Sequence, residues 1–186
     1  MGRDKLAQPL LTSTWHPSLN SSVVTHPKAQ RPTITAAVLI ERRKQPNRWE
    51  DWSFTIKEVL LDEGQFGSAA RVLRDDGHTA QTLHPGFTVT LHKDEAEGYY
   101  LNLSSGNPVW FVMWRRADAD PSRAWPELVT LSYNEAGRLL DAQEHVDNLP
   151  LPPDVRGWLQ TFADEHYVPE VKVRKRPASF RAPEQR

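Results

Sequence analysis

Cysteine is absent from the 186 residues. That removes disulfides, thiolate nucleophiles, iron–sulfur ligation and zinc ribbons in one step, and leaves the redox compartment open. Long hydrophobic runs are missing too. No stretch approaches the roughly 18 apolar residues that a bilayer-spanning helix needs. The first residues hold Pro9, Trp15, His16 and Pro17 among Ser and Thr, without the apolar centre of a secretory signal. Cytoplasmic residence away from the membrane is the expectation. Nucleotide and nucleophile signatures are also lacking: there is no P-loop, no GxGxxG, no GxSxG and no HExxH.

What is present is bulk and charge asymmetry. Seven Trp, six Phe and four Tyr are enough large side chains for a true core. The fifteen Pro crowd toward the two ends. This divides the chain into an extended or disordered arm over 1–31, one α+β domain over 32–171 and a basic tail over 172–186. The tail holds six basic residues and one acid, +5 in all, so a chain total of −1 leaves −6 on the remainder. An acidic body with a basic tail suits a protein partner better than nucleic acid, whose phosphates the body would repel.

The periodicity predicts strands first and helices last. Thr33 to Arg42 is apolar on both faces, as in a central strand. Trp52 to Leu61 alternates, with Trp52, Phe54, Ile56 and Leu60 on one face. Shorter strands are expected over Ala69–Leu73 and Thr79–Leu83. Pro85-Gly86 reads as a turn, followed by an alternating strand from Phe87 to Leu91. Lys93 to Gly98 reads as a loop or a single helical turn. Tyr99, Leu101 and Leu103 alternate with polar residues and predict a strand in a hairpin with Val109–Trp114. Another strand is expected over Leu128–Leu131. Ser132 and Glu135 have the spacing of a capping box, opening a helix with Ala136, Leu139 and Leu140 on its stripe. Pro152-Pro153 opens a second helix with Val155, Trp158, Leu159 and Phe162 on one face. Short strand connections rule out parallel βαβ units. The fold expected is an α+β curved, barrel-like antiparallel sheet of about six to eight strands carrying two C-terminal helices.

Candidate chemistry is sparse. His78, His84 and His92 lie near one another in sequence without metal-ligand spacing, and read as exposed sheet histidines. Asp75-Asp76 and Asp94-Glu95 sit beside turns, where carboxylates serve solubility more often than acid–base catalysis. Gly64-Gln65-Phe66-Gly67 follows Asp62 and Glu63 and reads as a turn rather than a phosphate grip. Neither a catalytic residue nor a metal or cofactor is expected, and the protein reads as a non-enzyme. The segment from Arg42 to Trp52 sets arginine beside tryptophan, the pair of residue types favoured at protein interfaces; a solvated strand end is the plainer reading. Arg42, Arg43, Arg48, Trp49 and Trp52 are the candidate partner-binding residues there, with Lys172, Arg174, Lys175 and Arg176 in the tail. An alternative is a small-molecule-binding protein or enzyme with a pocket in the curved sheet and Tyr99, Tyr100, His84 or His92 at its mouth. A second alternative is nucleic-acid binding through the tail.

Two stretches carry a resemblance. One is Val38-Leu39-Ile40-Glu41-Arg42-Arg43 with Asn47-Arg48-Trp49 and Trp52. The other is Val129-Thr130-Leu131-Ser132-Tyr133-Asn134-Glu135-Ala136, continuing through Leu149–Pro153 and Trp158 to His166-Tyr167-Val168-Pro169-Glu170 and Lys172–Arg176. Over residues 33–176 the chain resembles an uncharacterised proteobacterial family known as domain of unknown function 3305. Members of that family are often encoded near molybdenum-dependent formate dehydrogenases and their maturation factors. The resemblance implies an accessory role in assembly or maturation of such an enzyme, through a molybdoenzyme subunit or maturation factor as partner, and carries over no catalytic residues. Lacking cysteine, this chain cannot itself carry persulfide sulfur, so help to such an enzyme would act by binding a polypeptide or, as the second choice, the pterin cofactor.

Overall fold

A computed structural model describes residues 32–46 and 49–169, all within the unit that runs from Arg31 to Arg186. The arm expected over 1–31 and the tail over 172–186 lie outside the described residues. Among the described residues seven strands form, and all their pairings are antiparallel. β1 (Thr33–Lys44), β2 (Trp52–Leu61), β3 (Arg71–Asp75) and β4 (Thr79–Thr90) make one sheet in the order β2-β1-β4-β3. β5 (Val109–Arg116), β6 (Ala124–Thr130) and β7 (His145–Pro150) make a second, in the order β6-β5-β7. Three helices complete the described residues: α1 (Ala96–Ser104), α2 (Tyr133–Asp141) and α3 (Pro153–His166).

The α+β class and the antiparallel pairing stand, but the barrel does not. Two separate sheets replace it, and three helices replace two. The cause lies at residues 96–104, of which 99–103 were expected as a strand and 96–98 as part of a loop or single helical turn. Their buried residues Ala96, Tyr99 and Leu103, with Gly98 and Asn102, recur at helical spacing. The Tyr99-Leu101-Leu103 alternation coincides with that stripe over a short window, and the helical face wins because it packs on α3, with Tyr99 edge-on to Phe162 at 5.9 Å. Chain leaving β4 therefore enters a helix, the first sheet stops, and β5 must recruit β6 and β7 instead. Asn102 sets this junction. Only 1% exposed, it donates to the carbonyls of Val109 and Leu131 and accepts from the Val109 N–H.

Pro85-Gly86 is not a turn between two strands. β4 runs through it, and Ala37 on β1 faces both residues because Ala36 pairs with Phe87 and Val38 with His84. Gly86, at φ +89°, supplies the left-handed residue that such a bulge uses. A second bulge, at Lys57, lets Ile40 pair with Ile56 and Leu39 with Glu58.

The sheets share one core. Val38 and Ile40 of β1, Ile56 of β2 and Val89 of β4 meet Trp110, Val112 and Trp114 of β5, and the end is closed by Leu159 and Phe162 of α3. The opposite face of β5 meets α2, where Phe111 lies edge-on to Tyr133 at 6.2 Å. α2 starts as its sequence predicts: the Ser132 hydroxyl accepts from the Glu135 N–H. The reciprocal half of the capping box is redirected, since the Glu135 carboxylate takes the Thr130 hydroxyl and the Ser132 N–H donates to Thr130 Oγ1. α3 begins with proline in its first turn, as predicted, and buries Val155, Leu159, Phe162 and Ala163.

Candidate functional site

A strand places successive side chains on opposite faces. Arg42 and Arg43, adjacent in sequence, are therefore parted. Arg43 leaves the core side and pairs with Glu41 at 3.0 Å. Glu41, 8% exposed, also accepts from Gln81 at 2.8 Å, and that bond, with the positive charges of Lys57 and Arg43, holds its carboxyl below the usual range despite burial. Arg42 points to the inward side. Its guanidinium lies 4.5 Å from the centre of the Trp52 ring, a cation–π contact across the β1–β2 ladder.

From there a run of aromatic and guanidinium groups links the sheets. Phe54 pairs with Arg42 across the ladder and lies 5.9 Å from Trp114 of β5. Arg116 sits 5.5 Å from Phe54 and 5.6 Å from Trp114, and is tied to Glu50 at 3.0 Å. Trp114 in turn stacks on His145 of β7 at 4.5 Å. Trp49, in the connection between β1 and β2, is 88% exposed.

Beside this run, a cleft of about 380 Å³ opens between the inward face of the first sheet and the start of β6. Its floor is apolar, from Ile40, Phe54, Val72, Ala80 and Ala124, and its polar groups are Arg42, Thr82, His84, Asp75, Ser122 and Arg123. Volume and lining match those of small-ligand sites. Burial pulls the His84 imidazole below its ordinary pKa, which favours the neutral ring with one N–H donor and one acceptor nitrogen.

Of the partner-binding candidates, the fold joins Arg42 to Trp52, turns Arg43 away and leaves Trp49 projecting. Arg48, Lys172, Arg174, Lys175 and Arg176 lie outside the described residues. The proposed pocket mouth disperses. His84 lines the cleft, whereas His92 and Tyr99 meet at a separate recess of about 220 Å³ bounded by Glu95 and Glu135. There the Tyr99 hydroxyl accepts from the His92 N–H at 3.2 Å, and burial, with Glu95 and Glu135 nearby, pushes its pKa up. Tyr100 packs instead on Tyr167 at 5.0 Å.

The carboxylate pairs have structural work. Asp75 accepts from the Gly77 N–H and Asp76 from the His78 and Thr79 N–H groups, closing the β3–β4 turn. Glu95 bridges the Ser132 hydroxyl and Arg138. Phe54, Trp114, Arg116, Arg123 and His145 were not singled out by sequence reasoning as site residues. The alternation along Trp110, Val112, Trp114 and Arg116 was the available signal, since it puts an arginine at the end of a core-facing row. Among the described residues no helix is long and apolar enough to cross a membrane, and no group of three His, Asp or Glu is placed to hold a metal ion.

Neither the curated proteins nor the solved structures contain a match to this chain. A family model does match, over residues 35–176, and its description is a protein of unknown function, DUF3305. Those residues take in all seven strands and all three helices except the first two residues of β1, and on that match the chain belongs to the DUF3305 family.

Proposed function

We propose that this protein is a non-catalytic accessory protein that binds a polypeptide through the projecting Trp49 and the outer, Arg42–Trp52 end of the aromatic–guanidinium run, whose buried Trp114 anchors it to the core, and does so in the cytoplasm. The observation that carries the reading is the association of Arg42 with Trp52 and of Arg116 with Phe54 and Trp114, next to a tryptophan that is 88% exposed. Arginine and tryptophan dominate binding hot spots because they combine large contact area with directional or cation–π attraction. The choice of partner rests on the family resemblance: a molybdenum-dependent formate dehydrogenase, a similar molybdoenzyme or one of its maturation factors, with the help given to assembly or maturation. The absence of cysteine favours help by holding a chain over help by carrying sulfur.

The test is affinity purification of the tagged protein from its native host, grown to induce formate dehydrogenase, beside a Trp49→Ala variant. A molybdoenzyme subunit or maturation factor should accompany the wild-type protein. The variant should recover at least about tenfold less, as expected for a hot-spot residue. If no such partner is recovered from induced cells, the reading fails.

A further inference from the structure

The cleft between the sheets holds an arginine with donors to spare. Arg42 reaches the Ser122 carbonyl at 3.3 Å through Nη1 and Asp75 at 3.5 Å through Nη2, both at the far edge of hydrogen-bond range. Its Nε is shielded from solvent and has no acceptor. A guanidinium carries five N–H donors in a fixed fork, and its buried ones cost free energy while unpaired. The Trp52 ring behind it, 4.5 Å away, limits where the fork can go.

The surroundings suit a negative group joined to an apolar one. Arg123 adds a second positive charge on the facing wall, and Asp75 is the one carboxylate among the lining residues. Asp120 lies close enough to feel Arg42 and Arg123, and its Oδ1 accepts from both the N–H and the hydroxyl of Ser122, at 3.0 and 2.7 Å, which turns that oxygen to its own loop. His84 also lines the cleft, and its burial disfavours the charged ring. Below these groups Ile40, Phe54, Val72 and Ala80 form a floor that a charged group alone would leave unfilled. A volume of about 380 Å³ holds a ligand of one ring or a short branched chain.

We propose that this cleft binds a small amphipathic anion, a carboxylate or phosphate monoester on an apolar body, with Arg42 anchoring the anion and the floor taking the apolar part. This goes beyond the polypeptide reading: the two share Arg42 and Phe54, but Trp49 does not line the cleft, so the Trp49→Ala capture tests the one and the anion titration the other.

Nuclear magnetic resonance on the full-length, isotope-labelled protein tests it with four probes: benzoate, phenyl phosphate, neutral benzamide and inorganic phosphate. Benzoate or phenyl phosphate should give saturable shifts at the Arg42 Nε–H and the Ala80, Thr82 and Ala124 amides. The tighter of the two identifies the anion. Benzamide and inorganic phosphate, each lacking one half of the ligand, should bind at least tenfold more weakly. Arg42→Met should weaken the better anion at least tenfold. If that variant loses spectral dispersion, Arg42→Lys, which keeps stem and charge but not the fork, should weaken it at least threefold. Equal binding of benzamide and benzoate, no shifts at the cleft with either anion, or unchanged affinity in a folded Arg42 variant would each overturn the proposal.

Discussion

Gly98 of α1 faces the Ser132 hydroxyl so closely that a Cβ there would lie 2.2 Å from Ser132 Oγ. The hydroxyl has no freedom to retreat, since it donates to Glu95 and accepts from the Glu135 N–H. Gly98→Ala should therefore cost roughly 1–3 kcal/mol of stability by overpacking, more than the gain in helix propensity returns. Gly137 of α2 and Gly157 of α3 have nothing within 4 Å of the same position. Alanine at either should stabilise by roughly 0.5–1 kcal/mol, because a mid-helix glycine loses more backbone entropy on folding. Denaturant midpoints of the three variants check the opposite signs. Gln143 supplies a third case. At φ +63° it ends α2 in the left-handed conformation, with the Glu144 N–H reaching back to the Leu139 carbonyl in a Schellman pattern. A side chain there costs about 1–2 kcal/mol, so Gln143→Gly should raise the melting temperature.

β7 is the element that sequence reasoning missed. His145-Val146-Asp147-Asn148-Leu149-Pro150 contains Asp, Asn and Pro, which are depleted in strands, and only Leu149 is fully buried in it. It becomes a strand because it lies on the edge of β5 and because Asp147 accepts from the Ile56 N–H of β2 at 3.0 Å, stitching one sheet to the other. Asp147→Ala strands that N–H beside a buried residue. It should cost about 1–3 kcal/mol and speed hydrogen exchange at Ile56 more than at Val38, and equal acceleration at both amides would count against the stitch. β1, β2, α2 and α3 were legible from their apolar periods and from the residues at their ends: Pro32 before β1, Asp62-Glu63-Gly64 after β2, the capping Ser132 before α2 and Pro152-Pro153 at the start of α3. The bulge at Pro85-Gly86 and the helix at 96–104 were not, because a bulge looks like a turn and a short helical stripe shares residues with a period of two. For the site, the Arg42–Trp52 segment was legible as a run of residue types. Its partners Trp114 and Arg116 come from β5 of the other sheet and Arg123 from the connection just before β6, a distance no local period encodes.

The whole molecule should lose stability in two separate steps on acidification. His84 has a depressed pKa in the folded state, so below about pH 6.5, the ordinary histidine value, the unfolded chain takes up a proton that the native cleft refuses. Stability then falls with pH. Arg42, Arg123 and Asp75 are the charged groups that line the same cleft, and burial is the cause of the shift. Glu41, also depressed, gives stability that is complete above the ordinary carboxylate range of about pH 4–5 and disappears as pH falls through its lower native value. His84→Gln should flatten the first step alone and Glu41→Gln the second alone, read as unfolding free energy against pH; a step that survives its own variant belongs to another group. The division into two sheets also has a bearing on biosynthesis. Each sheet is built from one continuous stretch of chain, the first complete at Thr90 and the second only at Pro150. At about 5–20 residues per second, the ribosome needs roughly 3–12 s to make the 60 residues between those points. For that interval the face bearing Val38, Ile40, Ile56 and Val89 has no second sheet to cover it, so the nascent chain presents a sticky surface in mid-synthesis, and holding by a ribosome-associated chaperone should raise its yield.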